Sequence, residues 1–177
     1  MTETHRDPNL QNYLSEVQAL WQPDSATDPN MPHRVRDLMQ AWIKGTPTDT
    51  DWVLALKEEK TPGRALYTDS KHGFIQMIHY HEGFRSNTPH DHGPYWVVYG
   101  VYEGEVEIPV YEHDPVSDTL KVARLDSLKA GDATAYLPGE IHSTHVRTAD
   151  AAIVLRFLST DLSQVPRQRF KPEQITG

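Results

Sequence analysis

The stretch that decides how this chain reads is SNTPHDHGPYWVVYG, Ser86–Gly100. Two histidines, His90 and His92, flank Asp91, and a run of aromatic and β-branched residues follows. In extended backbone, residues two apart point to the same side. His90 and His92 can therefore aim at one point while Asp91 faces away. Such a pair is either half of a metal chelate or two polar side chains beside a loop, so the rest of the chain must decide. The segment LPGEIHSTHV, Leu137–Val146, supplies a third imidazole, His142, directly after a turn and 50 positions beyond His92. The curvature of a small β-barrel would bring the two segments together. Three imidazoles suit zinc, iron, copper or nickel better than magnesium or calcium. His145, at an odd offset from His142, falls on the opposite face and reads as outward.

Composition narrows the options. At 177 residues the chain is the size of one domain and can bury a substantial core. It has no cysteine, which excludes disulfides, thiolate metal sites and cysteine nucleophiles and fits a cytoplasmic location. The first residues, MTETHRDPNLQNYL, lack a basic start followed by an apolar run, and no stretch approaches the roughly 20 apolar residues of a membrane span. An unexported protein with no membrane contact is expected. A formal charge of −8 leaves no broad basic footprint for nucleic acid, so the expected partner is a small molecule. Five of the ten histidines (His72, His79, His81, His90 and His92) fall within 21 positions. His5, His33, His72 and His113 occupy helical or turn-like settings and are assigned no chemistry.

Along the chain, Leu10, Tyr13, Leu14, Val17, Leu20 and Trp21 recur at three- and four-residue steps, the stripe of an amphipathic helix. Val35, Leu38, Met39, Trp42 and Ile43 repeat it, and a third helix is predicted over Asp51–Glu59 with Thr48 or Thr50 as its N-cap. After Gly63 the texture changes to short β-rich runs broken by Gly, Pro and Asp. Strands are predicted near Ala65–Asp69, Phe74–His81, Tyr95–Tyr102, Glu105–Glu112, Thr119–Leu125, Ala133–Leu137, Ser143–Arg147 and Ala151–Ser159. The fold class is mainly β, a barrel or jelly roll with N-terminal helices packed on it. Residues 1–62 form the helical segment, 63–160 the barrel and 161–177 a loose polar tail, within one structural domain.

Gly83, His90-x-His92 and Gly104 resemble the first cupin motif, and Gly131, Pro138, Gly139 and His142 the second. Most metal-binding cupins also carry a glutamate four or five residues after the H-x-H, where this chain has Trp96 and Val97. A three-histidine cupin with that substitution resembles the cysteine dioxygenase, or thiol dioxygenase, branch over about residues 64–159. The resemblance implies a cupin double-stranded β-helix binding Fe(II) through His90, His92 and His142, with zinc, nickel or manganese as alternatives. Substrate and O₂ would take the open positions. It also implies a non-heme iron dioxygenase in which Arg64 grips a substrate carboxylate, since arginine's planar fork suits that group. Arg64 reads equally well as a solvated arginine after a Pro-Gly turn.

The chain departs from that pattern on its last strand. Where the family carries serine, histidine and tyrosine, it has Val154, Arg156 and Leu158, and Val97 stands where some members have a crosslinked cysteine. His79 and His81 enter the preceding strand on one face, turned either inward or to the surface. If inward, they and Arg156 make a polar, cationic pocket and stand in for the missing tyrosine. The expected activity is addition of O₂ to a small anionic substrate, a carboxylate-bearing thiol. Two alternatives remain open. One is a cupin oxygenase that cleaves carbon–carbon bonds of diketone-like substrates. The other is a non-redox metal-binding cupin, an isomerase or small-ligand binding protein.

Overall fold

The computed structural model describes residues 7–47 and 49–176. His5 and Thr48 lie outside the described residues. Three helices come first: α1 (Pro8–Leu20), α2 (Met31–Gly45) and α3 (Asp51–Glu59). Asp7 caps α1 by accepting from the backbone N–H groups of Asn9 and Leu10, and its second carboxylate oxygen accepts from the Trp52 indole in α3 at 2.8 Å. One carboxylate thus starts a helix and ties it to another. Thr50 caps α3 without a side-chain hydrogen bond. Among the described residues, no helix is long and apolar enough to cross a membrane.

Among the described residues nine strands follow: β1 (Arg64–Thr68), β2 (Ile75–His81), β3 (Val97–Glu103), β4 (Glu105–Asp114), β5 (Thr119–Lys129), β6 (Ala133–Tyr136), β7 (Ile141–His142), β8 (Ala152–Leu158) and β9 (Ile175–Thr176). They form two sheets, ordered β1-β2-β8-β3-β6 and β7-β4-β5-β9. Side-chain alternation sorts the first sheet into two faces. Val97, Tyr99 and Val101 of β3 join Val154 and Leu158 of β8 and Val106, Ile108 and Val110 of β4 in a core between the sheets. Val98 and Tyr102 join Ile78, Leu155 and Phe157 in a second core beneath the helices, with Val35, Met39, Trp42 and Trp52. A strand covered on both faces reads as an unbroken apolar run, which is why WVVYGVY lacks alternation. Gly100 faces α2, where a Cβ would stand 2.5 Å from the Ile43 Cδ1 and 2.7 Å from the Met39 Sδ, so a side chain here would displace those two tips.

Two predicted features are corrected. Ser143–Arg147 is not a continuous strand: pairing with β4 breaks after His142, opposite Pro109, and returns only as an isolated bridge between Glu107 and His145. Pro109 accepts from the Ser143 N–H at 3.2 Å but has no N–H to return. The C-terminal residues are not a loose tail. Phe170 is buried with Tyr111, Leu120 and Ile141, the Phe170 N–H donates to the Pro89 carbonyl, and β9 pairs in parallel with β5. An aromatic side chain with an apolar slot to fill outweighs the proline-rich, polar composition that suggested disorder.

Candidate metal centre

His90 and His142 exchange N–H···O=C bonds of 3.0 Å in both directions, forming an isolated bridge ahead of β3. Directly paired residues of an antiparallel ladder present their side chains on the same face, and His92 joins them two residues on. The three rings close into a near-equilateral triangle, with centroids 5.0 Å (His90–His92), 5.2 Å (His90–His142) and 5.1 Å (His92–His142) apart. One ring nitrogen from each lies within 4.8 Å of the others.

The nitrogens are already sorted into structural and free. His90 Nδ1 is 2.9 Å from the Thr88 carbonyl and His142 Nδ1 is 3.2 Å from the Glu140 carbonyl, so each Nδ1 carries the proton and each Nε2 keeps its lone pair. His142 Nε2 and both nitrogens of His92 are buried and have no hydrogen-bond partner among the described residues. Buried polar atoms are normally satisfied, and one ion at the centre of the triangle would satisfy them together. Burial, reinforced by the charge of Arg156, lowers the His90 pKa to about 4 and holds His92 and His142 well below the ordinary imidazole range. All three are neutral at physiological pH, the form that binds metal.

The surroundings hold the third ligand in place. His142 stacks on Tyr136 at 4.3 Å and meets Tyr99 edge-on at 5.5 Å. Glu140 accepts from the Leu137 N–H and pairs with Arg124, fixing the turn that delivers His142. His145 points outward and lies in a hydrogen-bonded chain running from Tyr111 through Ser143 and His145 to Ser86.

Of the other predicted site residues, three lie on the face of the first sheet that looks toward the second. Arg156 pairs with Met77 and Tyr99 in register, on the face that lines the inter-sheet core, with its guanidinium carbon 5.7 Å from the Tyr99 ring centroid. Its Nε is buried and unpartnered. His79 and His81 lie on the same face of β2 as Ile75 and Met77, which pack against the inter-sheet core. Burial first, then the neighbouring arginines and His79's own charge, lowers His81 to about 3, and burial with Arg156 lowers His79 to about 4. His79 Nδ1 lies 3.0 Å from the Pro62 carbonyl, leaving Nε2 buried with no partner.

Arg64 does not join them. It pairs with Ile78, on the helix face of the sheet, where its guanidinium donates to the Trp52 carbonyl at 3.1 Å and pairs with Glu59 at 3.5 Å. Strand register turned it away from the histidines, so its role is to anchor α3. Trp96 is likewise turned to the helix side, stacked on Phe157 and donating to the Ser25 carbonyl.

The structure adds groups that sequence reading passed over. The C-terminal segment runs beside the H-x-H pair, with Arg169 directly opposite His90 and Arg167 two residues earlier on the same face. Val165, two further back, packs into the inter-sheet core. The alternation in VPRQRF was the available signal. Among the described residues, Arg85, Arg156, Arg167 and Arg169 have no acidic partner within 4.0 Å; Asp91 is bonded to backbone and Glu140 to Arg124. In a chain of net charge −8, the half-buried Arg156 and Arg167 and the exposed Arg169 all lie close enough to act on His90.

The two sheets form a cupin-type double-stranded β-helix, and the histidine triangle between them is a group that could hold a metal ion. The fold is shared with a cupin 2 domain-containing protein from Halorhodospira halophila, at TM-score 0.50 and 17% identity over 63% of this chain and 70% of that one. A double-stranded β-helix protein from Klebsiella pneumoniae is similar at TM-score 0.46 and 14% identity, covering 64% of this chain and 93% of that one. A cupin 2 conserved barrel protein from Rhodopseudomonas palustris is similar at 0.47 and 13%, over 63% and 68%. No family model matches the sequence, and no curated protein is similar enough in sequence to count as a match.

Proposed function

We propose that this chain is a metal-dependent cupin oxygenase of the thiol dioxygenase type, acting in the cytoplasm on a small anionic substrate and O₂. The observation that carries the reading is the conjunction of three neutral, inward histidines with Arg156 and Arg167, half-buried cations near them that have no acidic partner among the described residues. Neutral ligands leave a divalent ion its full charge, which draws anionic groups to it. Ferrous iron is the ion we assign, and when bound it would supply activation of O₂. The overall change is RSH + O₂ → RSO₂H: both oxygen atoms bond to sulfur, the thiol is oxidised to a sulfinic acid, and no further reductant is consumed.

The protein's own residues supply positioning and charge. Arg156, on the inner face of β8, and Arg167, on the C-terminal segment, take the substrate's carboxylates by charge-assisted hydrogen bonds. His79, with a free Nε2 and a neutral ring, accepts a proton or hydrogen bond from the substrate inside the chamber. Tyr99, Val97 and Leu158 supply apolar walls that keep bulk water out.

A non-redox metal-binding cupin is the second reading. The observation favouring it is that β8 presents Val154, Arg156 and Leu158, with no hydroxyl directed at the triangle. Metal analysis of the purified protein, followed by O₂ uptake with a panel of small thiols and β-dicarbonyl compounds, separates these readings. Iron with thiol-dependent uptake is the expected result. Uptake only with dicarbonyls would assign carbon–carbon cleavage, and bound zinc with no uptake would establish the non-redox reading.

A further inference from the structure

The residue between the two histidines of the H-x-H pair is occupied in a way that its outward position does not require. Asp91 is 9% exposed, and its Oδ1 accepts from the Gly93 N–H at 3.2 Å and the Gln168 N–H at 2.9 Å. The Asp91 N–H donates back to the Gln168 carbonyl at 3.2 Å, and the Phe170 N–H donates to the Pro89 carbonyl at 2.9 Å. On its other flank, His90 is paired with His142. The ligand segment is therefore an extended stretch bridged on one side to β7 and on the other to the C-terminal segment. Gly93 closes it in a left-handed conformation, φ +58°, with the Pro166 carbonyl so near that a Cβ would stand 3.1 Å from it.

We propose that residues 166–170 are a working part of the metal centre, and that Asp91 is the positioning residue that couples them to His90 and His92. The inference rests on the reading of the three histidines as a metal site. Removing the Asp91 carboxylate strips the acceptor from two backbone donors, one inside the ligand turn and one in the C-terminal segment. The ligand strand then loses one of its two flanks, and the imidazoles must be ordered at the expense of metal affinity. The coupling is reciprocal: whatever the C-terminal segment contributes to metal binding, metal binding returns to the docking of that segment.

The test uses the full chain with zinc as probe, measuring the dissociation constant by chelator competition in the wild type, Asp91→Asn, Asp91→Ala and Gln168→Pro. Asp91→Ala is expected to bind zinc roughly 10- to 100-fold more weakly, the usual consequence of losing a group that orients a ligand. Asp91→Asn keeps an acceptor oxygen and is expected to stay near wild type. Gln168→Pro removes the opposing donor without touching the ligand turn and should weaken binding in the same direction, which keeps the test available if Asp91→Ala does not fold. Hydrogen exchange at the Gln168 and Phe170 amides should slow when zinc binds the wild type. Wild-type affinity in Gln168→Pro and in a folded Asp91→Ala, or exchange at those amides that zinc leaves unchanged, would overturn the proposal while leaving the metal centre standing. Failure of the wild type to bind zinc or iron would remove both.

Discussion

His90 and His142 are 52 positions apart in sequence and bonded to each other by two backbone hydrogen bonds of 3.0 Å. The first and third corners of the triangle are thus joined through the main chain, so their spacing does not depend on side-chain rotamers alone.

Replacement of His142 by alanine is expected to reduce metal affinity by more than the roughly 10- to 100-fold that follows loss of a group behind a ligand, since a direct ligand is removed. Equilibrium dialysis with zinc or iron checks this. Full occupancy in the variant would show that His142 packs against Tyr136 and Tyr99 without ligating.

Arg156→Ala and Arg167→Ala should each lower kcat/KM for an anionic substrate by roughly 10- to 100-fold, corresponding to charge-assisted hydrogen bonds of about 1.5–3 kcal/mol. Arg64→Ala should leave kcat/KM near wild type but lower the unfolding temperature, because its partners are the Trp52 carbonyl and Glu59 in α3. If Arg64→Ala alone damaged turnover, the substrate would have to approach from the helix side of the sheet.

Acid should destabilise the apoprotein well above the range of ordinary carboxylates. His79 and His81 have folded-state pKa values of about 4 and about 3, against about 6.5 in the unfolded chain. The unfolded state therefore binds more protons between those limits, and stability rises with pH across them. Their contribution is complete above about pH 6.5 and is lost as pH falls towards 4 and then 3. A scan of unfolding temperature against pH is expected to be level above about pH 7.5 and to fall steadily below 6.5. A level profile down to pH 4.5 would place both histidines in water.

Trp96→Ala should cost about 3–5 kcal/mol of folding stability, the usual range for truncating a buried aromatic. The indole is fully buried, stacked on Phe157 and bonded to the Ser25 carbonyl. Because its side chain lies on the helix face, zinc affinity of the folded fraction should remain near wild type. A large loss of metal with little loss of stability would mean that the position still serves the site.

Helices, strands and the histidine triangle were largely legible from residue pattern, because each rests on local periodicity or on side-chain alternation. The stripes of α1 and α2, the limits of α3 and the same-face spacing of His90 and His92 follow from 3.6- and 2-residue repeats that sequence displays directly. Which face of a strand looks inward is a different kind of fact, set by what covers the sheet. Register put Arg156 between the sheets and Arg64 beneath the helices, although both are arginines on strands. The helices took Trp96 to their side and left Tyr99 to the chamber. The C-terminal segment offered a polar, proline-bearing composition and, in VPRQRF, an alternation that says which side chains share a face but not what that face meets. Burial of Phe170 in a slot built by β4, β5 and β7 brought Arg167, Gln168 and Arg169 against the H-x-H pair. That slot exists only once distant strands have packed, so no local pattern announces it, and tertiary structure alone decided that the end of the chain closes the site.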